Sequence, residues 1–114
     1  MPTGREGCVV EDIDLVLRGF GTLYHTDDEG ILKLIELKYG KAEMGFAKTK
    51  TFGLIDRGLK RGEPERYKGY FLINYDNENW DKANFEINRK PVTLTELSRF
   101  LMFGDIGITG LNFK

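Results

Sequence analysis

The chain is poor in the residues that build several common kinds of site. It has one cysteine, Cys8, and one histidine, His25, in 114 residues. A single thiol excludes an internal disulfide, and one thiol with one imidazole excludes a Cys/His metal cluster. A reducing compartment is the natural inference, with the cytoplasm as the default, and Cys8 is expected to be a small buried apolar residue. No apolar run approaches membrane-spanning length and the N-terminus lacks a signal-peptide pattern, so no membrane is expected among the partners. Net charge is scarce too: 17 basic and 18 acidic side chains leave −1. The global balance therefore draws no polyanion, and any nucleic-acid surface must be a local basic patch. There is no internal repeat, low-complexity tract or linker. The length suits one domain, residues 1–114, with one core.

What the chain does have is 40% hydrophobic and 31% charged residues, an ordinary globular balance. It is organised around Gly30 to Gly40. Ile31, Leu32, Leu34, Ile35 and Leu37 form a short apolar run between two glycines, which predicts a buried strand over Ile31–Tyr39. Glu36 and Lys38 interrupt its end two residues apart, so in an extended chain they share a face. An exposed strand end with a weak ion pair explains such a pair, and so does an active site.

Residues 1–7 read as loose surface chain. Val9–Arg18 reads as a strand carrying Asp12 and Asp14 on one face, although Asp is a poor strand former. Gly19–Gly30 is a polar loop that returns the chain into Ile31–Tyr39. Antiparallel pairing of the two strands then sets Asp12 and Asp14 beside Glu36 and Lys38. A helix is expected from about 46 to 61, with Phe46, Phe52, Leu54, Ile55 and Leu59 on its apolar side and Lys48, Lys50, Arg57 and Lys60 over the rest. Tyr67–Tyr75 reads as a central apolar strand, Ala83–Ile87 as a short one and Asn88–Pro91 as a turn. Thr93 with Glu96 makes a capping box for a helix running to about Phe103. The alternation in Asp105–Lys114 suggests a last strand, or an arm packing on a partner. The fold class is α/β of mixed α+β character, a central mixed sheet flanked by helices.

An acid opening one apolar strand (Asp14-Leu15-Val16-Leu17), a second apolar strand closing on Leu34-Ile35-Glu36-Leu37-Lys38 and a basic helix after it form a moderately specific order. Over roughly residues 9 to 75 this resembles the PD-(D/E)XK nuclease superfamily, which includes type II restriction enzymes, Holliday-junction resolvases and many phage nucleases. The resemblance implies a restriction-endonuclease-like core and metal-dependent endonuclease hydrolysis of DNA. It implies Asp14, Glu36 and Lys38 as catalytic residues, and Mg²⁺ (or Mn²⁺) held by Asp14, Glu36 and the Leu37 carbonyl, with Asp12 in reserve. Three positions depart from the family pattern: Ile13 stands where a proline is usual, little chain precedes the first strand, and the helix start offers Ala47, Lys48 or Lys50 in place of a glutamine.

Lys48 and Lys50 are candidates for nucleic-acid contact, and a solvated helix face explains them equally well. Tyr39, Tyr70 and Trp80 are aromatic residues able to stack on bases, though packing is their commoner fate. His25 in its polar loop reads as a surface histidine. One site per chain cuts one strand, so a homodimer is expected for duplex or junction substrates. The alternative is a catalytically silent nuclease-fold module binding nucleic acid or a protein partner. A third reading, an unrelated α+β domain with a chance Glu-x-Lys, has Glu36 and Lys38 splayed into solvent.

Overall fold

The computed structural model describes residues 12–113; Cys8, Val9 and Val10 lie outside them. Five strands form one sheet in the order β1-β2-β3-β4-β5: β1 Leu15–Gly19, β2 Ile31–Tyr39, β3 Tyr67–Tyr75, β4 Phe85–Ile87 and β5 Lys90–Val92. Only β2 and β3 pair in parallel, and helix α1, Phe46–Gly62, makes the crossover between them. The other neighbours are antiparallel. Helix α2, Leu94–Leu101, follows β5. The result is a mixed sheet covered on both faces, which is why β2 and β3 read as nearly unbroken apolar runs.

The two faces collect different residues. Ile35, Phe71, Ile73, Phe85, Ile87, Leu97 and Phe100 form the core under α2. Leu34, Phe52, Tyr67 and Tyr70 form the core under α1. Tyr67 and Tyr70 share a face although three residues apart, because the ladder slips between Leu32 and Leu34 beside Gly69, whose φ is +119°. Gly69 also admits a close backbone approach: a Cβ there would sit 3.1 Å from the Gly110 Cα.

The sequence places β2, β3 and α1 almost to the residue. It extends the first strand too far over Asp12 to Asp14, which are not strand; residues 9–11 of that expectation lie outside the described residues. The reason lies in Asp14. The Leu37 N–H donates to its Oδ2 at 2.8 Å, so a side chain takes the hydrogen bond that a longer β1 would have supplied from its backbone. Asn88-Pro91 is tighter than expected: Asn88 and Arg89 turn at positive φ and Lys90 already begins β5. Among the described residues the tail forms no strand. Ile106 and Ile108 pack under α2, while Leu111 and Phe113 pack under α1, with the Leu111 N–H donating to the Tyr70 carbonyl at 2.7 Å. Phe46 and Leu54 do not face the core; both are largely exposed on α1.

The loop between β1 and β2 is tied to the start of β3. Arg66 grips Asp27 with both guanidinium nitrogens, at 2.6 and 2.7 Å, and also donates to the Gly30 carbonyl. Gly30 has φ +85°, and a Cβ there would collide with the Gly19 carbonyl oxygen at 2.3 Å, so the strand must open on glycine.

Helix α2 has only eight residues and depends on its ends. Thr93 Oγ1 accepts the Glu96 N–H at 3.1 Å and Glu96 Oε1 accepts the Thr93 N–H at 2.9 Å, the expected capping box. Thr93→Ala is expected to cost about 1 kcal/mol of unfolding free energy in a urea titration; a loss below about 0.3 kcal/mol would show the cap to be idle.

Candidate active site

The site lies on the α1 face, where β1 enters the sheet. The register Leu15↔Ile35 and Val16↔Leu34, continued one residue beyond β1, sets Asp14 opposite Glu36. Paired residues of an antiparallel ladder share a face, so both carboxyls project toward α1. They are within hydrogen-bonding reach of each other. Asp14 is exposed, whereas Glu36 is fully buried at 0% exposure. The juxtaposition expected from antiparallel pairing is thus present for Asp14 and Glu36.

Their surroundings push the two acids apart. The hydrogen bond with Glu36, the Leu37 N–H and the charges of Lys48 and Lys38 hold Asp14 below the usual carboxylate range, against some desolvation. Burial raises Glu36, and the neighbouring Asp14 raises it further, against the opposing effect of Lys48. Glu36 Oε1 accepts no hydrogen bond from any donor, and the buried Tyr70 hydroxyl has no hydrogen-bond partner, its pKa driven upward by burial and the charges of Glu36 and Asp14. A buried carboxylate oxygen lacking a donor, next to a second carboxylate, is a donor set that suits a proton or a hard cation.

Two amines attend the pair. Lys48 Nζ stands 2.7 Å from Glu36 Oε2, with the Lys48 side chain 21% exposed. Lys38, half-buried, shares Glu36's face by strand alternation and acts on Asp14 through its charge. The sequence singled out Lys38 as the neighbouring amine and gave Lys48 only a phosphate contact; the ion pair with Glu36 was missed. A signal for it existed: Lys48, Phe52, Ile55 and Leu59 fall at i, i+4, i+7 and i+11, one inward stripe.

The segment joining Lys38 to α1 is anchored by Asn74, buried on β3 opposite Lys38. Its amide donates to the Gly40 and Ala42 carbonyls at 2.9 and 3.0 Å, and its oxygen accepts from Arg89 at 3.2 Å. This clamp fixes where α1 starts and thereby sets Lys48 over Glu36. Sequence reading gave Asn74 no role.

The other candidates are dispersed. Asp12 is exposed ahead of β1, and among the described residues no three Asp, Glu, His or Cys side chains converge, so it adds no third carboxylate. Lys50 points away from the pair and stands over the Phe46 ring at 5.6 Å. Tyr70 is fully buried and stacked on Phe52 at 5.0 Å, which removes it from base stacking. Tyr39 is exposed beside Tyr75, Trp80 packs between Tyr75 and Phe85, and His25 closes a short 3-10 turn. No helix among the described residues is long and apolar enough to cross a membrane. No family model, curated protein or solved structure matches the chain.

Proposed function

We propose that the protein is a divalent-metal-dependent nuclease that hydrolyses phosphodiester bonds in DNA, on a restriction-endonuclease-like core. The observation that carries this reading is the buried Glu36 carboxyl facing Asp14 across two paired strands, with Oε1 lacking any donor. The chain order agrees with it: an acid-bearing strand, an antiparallel strand ending in Glu-x-Lys, a basic helix, then a parallel strand.

Asp14, Glu36 and the Leu37 carbonyl would hold Mg²⁺ or Mn²⁺, hard cations that take a few protein oxygens and fill the rest with water and phosphate. When bound, the ion supplies charge neutralisation at the phosphate and a more acidic water. The chain's own residues do the rest. Asp14 is ionised at neutral pH, and its environment holds its pKa still further below the usual carboxylate range. Lys48 offsets part of the desolvation cost of an ionised Glu36. Lys38, on the same face and within the field of Asp14, is placed to hold a phosphate oxygen or exchange a proton with the attacking water.

Calorimetric titration with Mn²⁺ and cleavage of a supercoiled plasmid in Mg²⁺ test this together. The wild type is expected to take up Mn²⁺ and nick the plasmid, and Asp14→Asn to lose both. Cleavage by Asp14→Asn at the wild-type rate would end the assignment. Direct conversion to linear DNA would point to paired sites in a homodimer.

One observation favours the second reading, a silent nuclease-fold module. Glu36 is wholly buried and already holds an ammonium partner in Lys48. Such a module binds its partner without taking up Mn²⁺, so the same titration separates the two.

A further inference from the structure

A groove on the outer flank of α1 is not used by the Asp14 and Glu36 pair. It has a volume of about 380 Å³ and lies between Phe46 and Phe113, with Lys50 and Arg57 on its rim. Gly53 forms part of its wall: a Cβ there would meet the Phe113 Cβ at 3.2 Å, so the missing side chain is what lets Phe113 pack against the helix. Phe113 is held from behind, edge-on to Tyr70 at 5.6 Å. Phe46 is 80% exposed, one of the most exposed large apolar side chains in the protein.

The charges around the groove are one-sided. Helix α1 carries Lys48, Lys50, Arg57, Lys60 and Arg61 against a single acid, Asp56. Lys48 is taken by Glu36 and Lys60 by Asp56, which it meets at 2.7 Å. Among the described residues, Lys50 and Arg57 pair with no carboxylate and no acid lines the groove. Two aromatic rings flanked by two unneutralised cations suit a ligand with flat π-faces on an anionic backbone.

We infer that this groove is a subsite for single-stranded nucleic acid, taking an unpaired base against Phe46 and Phe113 while Lys50 and Arg57 hold the flanking phosphates. A duplex keeps its bases stacked inside and cannot offer one to the groove. The inference deepens the nuclease reading and rests on it for the substrate class: DNA with an unpaired segment near the scissile bond. The groove lies on the helix that delivers Lys48 to Glu36.

Fluorescence anisotropy with a labelled oligo-dT in EDTA tests the subsite without metal or cleavage. The wild type is expected to bind it more tightly than a duplex of the same length. Phe46→Ala, a change at an exposed position, is expected to weaken binding about 10-fold or more. Lys50→Ala with Arg57→Ala is expected to reduce the slope of log affinity against log salt by about 1 to 2. Unchanged oligo-dT affinity in Phe46→Ala overturns the subsite, and so does equal binding of the duplex. Displacement of oligo-dT by poly-glutamate, equally in wild type and Phe46→Ala, overturns it in favour of a general polyanion patch. Binding in EDTA without cleavage in Mg²⁺ keeps the subsite and removes the nuclease; cleavage with no effect of Phe46→Ala does the reverse.

Discussion

Glu36→Gln is expected to abolish DNA cleavage, by at least about 10³-fold, and to leave the protein more stable at neutral pH. The loss follows from removing one of two carboxylates facing a common point. The gain follows from burial: with its pKa raised, the native Glu36 carboxyl holds a proton to higher pH than the same group in the unfolded chain. Stability from this group is thus complete below the unfolded value and declines as pH rises toward the raised native one. Glutamine carries no charge and removes that decline. Its amide can donate to Asp14 and its oxygen can still accept from Lys48. Lys48 is not left as an uncompensated buried charge, since it reaches solvent and also acts on Asp14. Were the Glu36–Lys48 pair purely structural, breaking it would lower stability by several kcal/mol instead. Thermal unfolding at pH 7 beside a cleavage assay reads both signs, and a fall in midpoint would reject the stability half.

Lys33→Met is expected to stabilise the protein by about 2 kcal/mol at pH 7. Lys33 lies on the opposite face of β2 from Glu36 and is 4% exposed. Its ammonium donates to the Phe100 carbonyl in the last turn of α2 and sits over the Phe100 ring at 3.6 Å and the Phe103 ring at 4.5 Å. No carboxylate pairs with it among the described residues. Burial pulls its pKa from 10.5 down to about 8. The native state therefore releases this proton near pH 8, well before the unfolded chain does near 10.5. Between pH 8 and 10.5 the unfolded state binds more protons, so stability rises with pH through that window, while below pH 8 the full penalty stands. Methionine fills a similar volume without charge, and the Phe100 carbonyl keeps the Phe103 N–H at 3.0 Å. Wild type should close its gap on Lys33→Met as pH rises from 8 to 10. A variant less stable than wild type at pH 7 would mean that the aromatic rings and the helix end more than offset desolvation.

The parts legible in the sequence are those where local pattern and global placement agree. Ile31–Tyr39 and Tyr67–Tyr75 are long apolar runs between turn residues, and they are strands over just those bounds. The capping box of α2 is written in Thr93 and Glu96 alone. The juxtaposition of Asp14 and Glu36 followed from antiparallel pairing and strand alternation. What stayed hidden depends on three-dimensional neighbours. Phe46 and Leu54 lie on the helix's apolar side only if its stripe is drawn too wide; the inward stripe is narrower and begins with Lys48. Lys33 breaks the β2 pattern, but nothing local says that two phenylalanines and a helix end will close over it. The tail reads as a strand because its residues nearly alternate, yet it instead divides them between the two faces of the sheet.

The single parallel pairing in this sheet has a kinetic consequence. The hairpin of β1 and β2 closes across a short loop, whereas β2 meets β3 only after the chain has travelled out through α1 and back. Asp14 and Glu36 belong to the early, nearby partnership, and the ammonium of Lys48 arrives with the late, distant one. The hairpin by itself sets like charges side by side with no counter-charge from the helix. Refolding under conditions that screen or protonate those acids should pass that stage more easily than refolding at low ionic strength.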